Sequence, residues 1–480
     1  MLSAKFQCLN RRDGVGDAHG MRGYSIVRFE PFDSPFIQTA SIEKPSDTTL
    51  FVSEVGGFQN SGGGPVWTGG FGSSSRQAVE VTVVQVPAAM IRIRRTSVPG
   101  VPLYVSFNNG SLVISWRYEE AVRNIARPEA DAEAARIYVE HGPALTRETV
   151  IRGVSMLWPG ESVEVVGDTI RFIPDCANEV VVPATLSNGA RVTDALRELI
   201  AENLRPFVEI AQHPLVELSG GFDSGCVGVA ASGLRDDILS YGLIHGGVVG
   251  RQQRARRREI IDILGFDDHE YLADNNLELA SLEIEEAQVT SFDDNQRIPC
   301  AYGVETHPSG PVDLIMTGVG GDELCLEHTF RREEWQLPGS ASSSSLTVAA
   351  GRSDMFLRRG IWPVNPLCSP DVIDFCRSLP RPLRANRAIN VLMLARAGMS
   401  DGFIYPRFAE GYGHSMQREA AYFDFDAALD GSIVADLGFM DISQLLDQAH
   451  AASNGGFSYK LIGALFWLLK LERIYQRYLP

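Results

Sequence analysis

The hydrophobic period changes partway along this chain, and that change limits what it can fold into. From about Tyr24 to Phe172 apolar residues alternate in short segments, "VEVTVVQVP", "MIRIRR", "PLYVSFNNGSLVISW" and "ESVEVVGDTIRF". A period of two turns one face of a strand to a core, so this half is expected to be mainly β. Asn108-Asn109-Gly110 predicts a tight hairpin, because Asn and Gly tolerate the positive φ such turns need. Helical spacing interrupts at Tyr118 to Ile125 and Asp131 to His141, and Gly56 to Ser75 reads as a long loop. From about Val192 the rhythm becomes helix, apolar strand, helix: "VTDALRELIAENLRPFVEIA", "LVELS", "CVGVAASGL", "ILSYGLI", "RRREIIDILG", "VDLIMTG". Such alternation implies a parallel sheet with helices on both faces. The expected fold class is α/β in two domains, residues 1–190 and 191–480. The Ser-rich stretch at 338 to 354 reads as a mobile lid, and the chain beyond it as mainly helical.

A chain of 480 residues exceeds a single core, in keeping with two domains. Its net charge of −17 argues against nucleic acid or an anionic membrane as partner. No apolar run of about eighteen residues is present, and Met1 to Gly20 lacks an apolar signal core. A cytoplasmic protein with no membrane partner is expected. Cys8, Cys176, Cys226, Cys300, Cys325, Cys368 and Cys376 are scattered without metal spacing and read as reduced, buried thiols.

Ser219-Gly220-Gly221-Phe222-Asp223-Ser224-Gly225 falls between a strand and a helix of the second half. Ligands of open parallel sheets bind beyond the carboxyl ends of the strands, and a helix start there offers unpaired N–H groups to an anion. Two glycines let main chain approach that anion, and two Ser hydroxyls add donors. The loop lacks the Lys of a Walker loop and the spacing of a dinucleotide fingerprint. An Asp inside a phosphate loop makes sense if it holds Mg²⁺; the plain alternative is only a turn. A second strand end, Thr317-Gly318-Val319-Gly320-Gly321-Asp322-Glu323, repeats the pattern and favours one shared metal-bound nucleotide.

Ser219 to Ser224 resembles the SGGxDS pyrophosphate loop of the N-type ATP pyrophosphatases, and "TGVGGDEL" is similar to the second motif of their asparagine synthetase branch. "TRETVIRGVSMLWPGESVEV", Thr146 to Val165, is similar to the segment closing that branch's glutaminase-like domain. The resemblance implies an N-terminal Ntn-type αββα domain and a C-terminal adenine nucleotide alpha hydrolase-like domain. It also implies ATP plus a carboxylate giving an acyl adenylate and pyrophosphate, then an amide. Glutamine-dependent members use an N-terminal cysteine. Met1-Leu2-Ser3-Ala4 places none there, and Cys8 is too far in, so a domain without glutaminase activity is expected. Between the second-motif glycines asparagine synthetases carry Glu and β-lactam synthetases Tyr, whereas here stands Val319. The chain is most similar to the lasso peptide cyclases, which join an Asp or Glu side chain of a peptide to its own N-terminal amine. "WPVNPLCSPDVIDFCRSLP" and "LFWLLKLERIYQRY", both helical in pattern, resemble that branch too.

The resemblance assigns roles. Ser219, Gly220, Gly221 and Ser224 would hold pyrophosphate, Asp223 and Asp322 would share Mg²⁺, and Leu218, Leu243, Thr317 and Gly318 would lie near adenosine. The cation that steadies the transition state falls to Lys460 or Arg407, because "YPRFAEGYGHS" lacks the family's Lys. Glu323 follows the metal Asp and either acts there or braces the loop. The run "GRQQRARRREI" reads as a solvated face or as a contact with pyrophosphate or an acidic partner segment, and His245 as a loop histidine. A ribosomal precursor peptide, a leader peptidase and a leader-binding protein are the implied partners. The rival readings are a small-molecule amide or β-lactam-type synthetase, and an inactive nucleotide-binding scaffold.

Overall fold

The computed structural model describes residues 2–9, 23–31, 66–69, 81–86, 90–95, 102–142, 147–158, 161–166, 169–174, 185–187, 190–273, 297–324, 343–408, 413–438, 440–453 and 456–480. Ten strands of the first half form two antiparallel five-stranded sheets. One has the order β2 (Gly23–Pro31), β1 (Leu2–Leu9), β7 (Ser111–Ser115), β6 (Tyr104–Asn108), β8 (Val154–Met156). The other runs β10 (Thr169–Pro174), β9 (Glu161–Val166), β5 (Met90–Arg94), β4 (Val81–Val86), β3 (Val66–Gly69). At the predicted hairpin Asn109 and Gly110 take φ of 48° and 74°, and Tyr104 to Asn108 pair with Ser115 to Ser111. The stretch expected as an unbroken loop contains β3; its remaining residues lie outside those described.

Alternation sorts the β6–β7 hairpin onto two cores. Leu103, Val105, Leu112 and Ile114 face Val163 and Val165 of the other sheet, in a cluster that continues through α3 (Val192–Val208) to Val216 and Leu218. Tyr104 on the opposite face packs with α1 (Tyr118–Arg123) and α2 (Ala132–His141), whose start is capped by Asp131 accepting from Ala134 N at 3.0 Å.

The parallel sheet has the order β13 (Asp267–Leu272), β12 (Leu239–Ile244), β11 (Pro214–Glu217), β14 (Leu314–Met316), β15 (Trp362–Val364). Helices α4 (Phe222–Ala231) and α5 (Gly247–Leu264) lie on one face, α6 (Arg297–Glu305) and α8 (Ser343–Arg358) on the other, and α7 (Gly321–Leu324) follows β14. Two expectations are corrected. From Ser343 the presumed lid is the helix α8, whose Met355, Phe356 and Leu357 are buried, because a Ser run can open a helix whose later apolar residues dock. Trp362–Val364, expected as helix, is the edge strand β15, and the helix begins only at Pro370. The chain beyond is helical, ending in α9 (Tyr459–Tyr478), and among the described residues no helix is long and apolar enough to cross a membrane.

The last helix returns to the first half. Leu465, Phe466 and Leu468 are fully buried in the cluster that holds Tyr104 and Tyr138, each such burial contributing about 1.5–3 kcal/mol. Tyr475 Oη donates to Val150 O at 3.4 Å. A second tie is ionic: Arg358 of α8 grips Glu119 of α1 through both terminal nitrogens at 3.0 and 2.8 Å, while its Nε donates to Asp354 at 3.1 and 3.0 Å. Burial pushes the Glu119 carboxyl up, but the Arg358 hydrogen bond and charge outweigh it and hold the group below its ordinary range. A depressed folded value contributes stability above the unfolded value and loses it as pH falls through the folded one. Glu119→Gln is therefore expected to lower native stability by about 1–3 kcal/mol at neutral pH. Below about pH 4 the variant and native denaturation midpoints are expected to converge; a gap independent of pH would refute the tie.

Candidate active site

From β11 the chain steps to β12 and β13 on one side of the sheet and then returns to β14 on the other. The carboxyl ends of β11 and β14 thus flank the point where strand order reverses, the crevice in which open α/β sheets take ligands. Both glycine-rich loops emerge there, Leu218 to Gly221 into α4 and Thr317 to Gly320 into α7.

The two loops touch. A Cβ at Gly318 would lie 2.5 Å from Ser224 N and 2.9 Å from Ser224 Cα, and one at Gly321 would lie 2.2 Å from Asp223 Cγ. Only glycine admits that stacking. Within the first loop, Gly220 has φ of 87°, Gly221 N donates to Ser219 Oγ at 3.1 Å, and Ser219 Oγ and Ser224 Oγ are 3.0 Å apart. Within the second, Val319 N donates to Thr317 Oγ1 at 3.2 Å, Thr317 Oγ1 donates to Asn365 at 2.5 Å, and Cys368 Sγ donates to Val319 O at 3.3 Å. Cys226, Cys300, Cys368 and Cys376 are buried.

Asp223 stands in the first turn of α4, where a carboxylate suits the helix dipole. Its Oδ1 accepts from Asn390 Nδ2 at 2.8 Å, and its Oδ2 lies 4.0 Å from Arg387 Nη1. Arg387 and its neighbour Asn386 both have left-handed backbone, with φ of 52° and 53°. Arg rarely adopts that conformation, so strain is held where its guanidinium meets Asp223. Nothing in "RANRAIN" marks these residues as site residues; the fold alone brings them there.

The arginine run splits by burial. Gln253 Nε2 donates to Ser219 O at 2.9 Å and Leu243 O at 2.8 Å, and its Oε1 accepts from His245 N at 3.0 Å, which pins the ends of β11 and β12 together. Arg257 is fully buried and donates to Leu218 O and to Asp268 of β13. Its place exists because Gly242 has no side chain: a Cβ there would lie 2.0 Å from Arg257 Nη1. Arg256 donates to Phe403 O at 2.9 Å and lies over the Phe222 and Phe403 rings at 5.4 and 4.7 Å. A solvated face is the wrong reading for Arg256 and Arg257, whose charges are paired or stacked under the loop; it holds for Arg251 and Arg258, which are exposed.

On the sheet's other face Glu217 accepts from Arg352 at 3.0 and 3.2 Å and from Tyr241 Oη at 3.3 Å. Burial, then Cys300 and Glu217, push the Tyr241 hydroxyl far up, so it stays a donor. Leu218 and Leu243 are buried in different cores, on opposite faces of the sheet, so what they present at the strand ends is main chain. The side chains of Asp322 and Glu323 lie outside the described residues; their backbone belongs to α7. Arg407 is exposed, its N–H held by Gln252 at 2.7 Å on the helix that also carries Gln253. Lys460 is exposed in the first turn of α9, and no contact among the described residues joins it to either loop. Nor do three His, Cys, Asp or Glu side chains gather as a metal-holding group among them. No protein-family model matches this chain, and no curated protein matches it.

Proposed function

We propose that this protein is an ATP-dependent amide ligase of the asparagine synthetase type, acting as a lasso peptide macrocyclase. It would adenylate an Asp or Glu side chain of a ribosomal precursor peptide and join it to the peptide's N-terminal amine, releasing AMP and pyrophosphate. In this reading residues 1–190 are a glutaminase-like Ntn-type domain without the catalytic Cys, and residues 191–480 an adenine nucleotide alpha hydrolase-like synthetase domain. The observation that carries it is the stacking of Gly318 and Gly321 on Asp223 and Ser224 at the reversal point of the parallel sheet. A simple turn has no need of a second glycine loop packed on its main chain.

The donor set suits Mg²⁺-ATP. Mg²⁺ takes one or two carboxylates and fills its shell with phosphate oxygens and water, so a cage of three protein ligands is not required. Asp223 would hold it, joined by Asp322; when bound, Mg²⁺ neutralises charge building on the leaving pyrophosphate. Ser219, Gly220, Gly221 and Ser224 would hold the pyrophosphate through N–H and hydroxyl donors. Thr317 and Gly318 would border the adenosine, with the main chain of Leu218 and Leu243. Arg387 takes the cationic role first sought at Lys460 and Arg407, because its guanidinium already faces the Asp223 carboxylate. A leader peptidase and a leader-binding protein are the proposed partners, in the cytoplasm.

The test is pyrophosphate release with ATP and Mg²⁺, using core peptides with a free N-terminus and an internal Asp or Glu, with product mass read in parallel. Pyrophosphate together with a product lighter by one water is expected. Pyrophosphate with small amino acid derivatives alone would replace the peptide reading by a small-molecule amide synthetase. Silence with both sets, in the presence of the leader-processing proteins, would leave a nucleotide-binding scaffold.

A further inference from the structure

We propose that the outer stripe of α5 and the segment Ser400 to Phe408 form a ledge that binds an extended, acidic and aromatic stretch of peptide and leads it into the crevice. The proposal deepens the peptide-ligase reading, on which it rests for the identity of the occupant.

Helix α5 uses three of its sides internally. Gln253, Arg257 and Ile260 are buried against the sheet, and Arg254 pairs with Glu270 of β13 at 2.7 Å. Gln252, Arg256 and Glu259 hold the segment from Ser400, which runs antiparallel to the helix. Ser400 Oγ donates to Glu259 at 2.9 Å, Arg256 Nε to Phe403 O at 2.9 Å, and Gln252 accepts from Arg407 N and Phe408 N at 2.7 and 3.0 Å. Left outward is a stripe at helical spacing, Val248, Arg251, Ala255, Arg258 and Asp262, all exposed. Along its margin stand Tyr405, 70% exposed, Phe408, 44% exposed, and Arg407.

Three arginines thus lie beside three exposed apolar side chains, and among the described residues none of the three has a side-chain ion pair. Asp262 and Asp401 are also exposed, at the far end, so in a chain of net charge −17 the sign is reversed locally from Val248 to Arg258 with Arg407. An exposed apolar patch with Arg251, Arg258 and Arg407 around it marks an interaction surface, and the charge at this end selects an anionic occupant. Nucleic acid would meet a repelling molecule outside the ledge; a short acidic peptide would not. The stripe from Val248 to Asp262 spans about 21 Å, the length of roughly six residues of extended chain. Its near end, Val248, is in the first turn of α5, five residues or about 7.5 Å along the axis from Gln253, which donates to Ser219 O. A peptide lying on the ledge therefore runs toward the carboxyl ends of β12 and β11, from which the first loop emerges.

The test is fluorescence anisotropy with a labelled peptide of alternating Asp and Phe, against one of alternating Lys and Phe. The proteins are the native chain, the double variant Arg251→Glu/Arg258→Glu and, as a control of equal chemistry, Arg197→Glu at an exposed position of α3. The acidic peptide is expected to bind the native chain and Arg197→Glu alike and the double variant at least about tenfold more weakly, about 1.4 kcal/mol for the two reversals together. Salt near 1 M, where screening acts within about 3 Å, should erase the difference. Equal binding to the double variant, or equal binding of the Lys peptide, overturns the ledge. Arg-dependent binding without pyrophosphate release with any peptide leaves the ledge and removes the ligase. Cyclisation with a peptide KM unmoved by the double variant leaves the ligase and removes the ledge.

Discussion

Asp223→Asn is expected to lower pyrophosphate release by about a thousandfold while leaving the fold intact. The substitution keeps volume and lets the amide oxygen accept from Asn390 as the carboxylate does, at 2.8 Å. What it removes is charge, and with it the hard oxygen ligand that Mg²⁺ requires. It also sets an NH₂ toward Arg387 where a carboxylate oxygen now lies at 4.0 Å. Asp223 and Arg387 both keep some exposure, so the stability lost should stay near 1 kcal/mol. Loss of a preorganised electrostatic group at the leaving phosphates costs about 10²–10³ in rate, and weaker metal binding adds to it. Steady-state pyrophosphate release at saturating Mg²⁺, beside a thermal melt, separates the two effects. Activity within tenfold of native in a well-folded variant would remove Asp223 from the chemistry.

Arg257→Leu should act in the opposite manner, through the fold. Its guanidinium is fully buried, donates to Leu218 O and pairs with Asp268. Removing it takes the charged partner from Asp268, leaving Ser240 Oγ as a donor to it at 2.7 Å, and takes a donor from Leu218 O beneath the first loop; a broken buried pair costs about 3–5 kcal/mol. Arg254, three residues earlier in the same run, pairs with Glu270 at 2.7 Å with both side chains more than a third exposed. Arg254→Leu should cost at most about 1 kcal/mol. Urea midpoints of the two variants are the comparison. Equal losses would mean that burial does not govern this run, and a stable Arg257→Leu would remove it as a support of the Ser219 loop.

Much of this architecture is legible before folding because it depends on local rules. The β6–β7 hairpin follows from Asn109 and Gly110, which accept positive φ, and β11, α4, β12, α5 and β14 follow from apolar period. Strands β13 and β15 carry no such period. "DDHEYL" is polar because an edge strand buries little, and "WPV" is only three residues long. Both are stabilised by a neighbour already in place, which no local window contains. The helix α8 is hidden for a similar reason: its Ser-rich start carries no period, and the burial of Met355, Phe356 and Leu357 depends on partners distant in sequence.

The candidate site divides along the same line. The two glycine loops and Asp223 are legible in the sequence, because strand-to-helix turns with Gly and Asp are local chemistry. Legible too is a parallel sheet whose strand ends could bring those loops together. Packing alone brings Gly318 and Gly321 onto Ser224 and Asp223, turns Arg387 and Asn390 toward that carboxylate, and sets Gln253 and Arg257 at the strand ends. Arg254 and Arg257 are the same residue type in the same run. One is left at the rim and one is sealed beneath a loop, because burial is set by residues distant in sequence that close over it, such as Gly242 and Asp268. Local periodicity carries backbone preference, whereas the environment of a charge is the sum of contacts that exist only once the chain has packed.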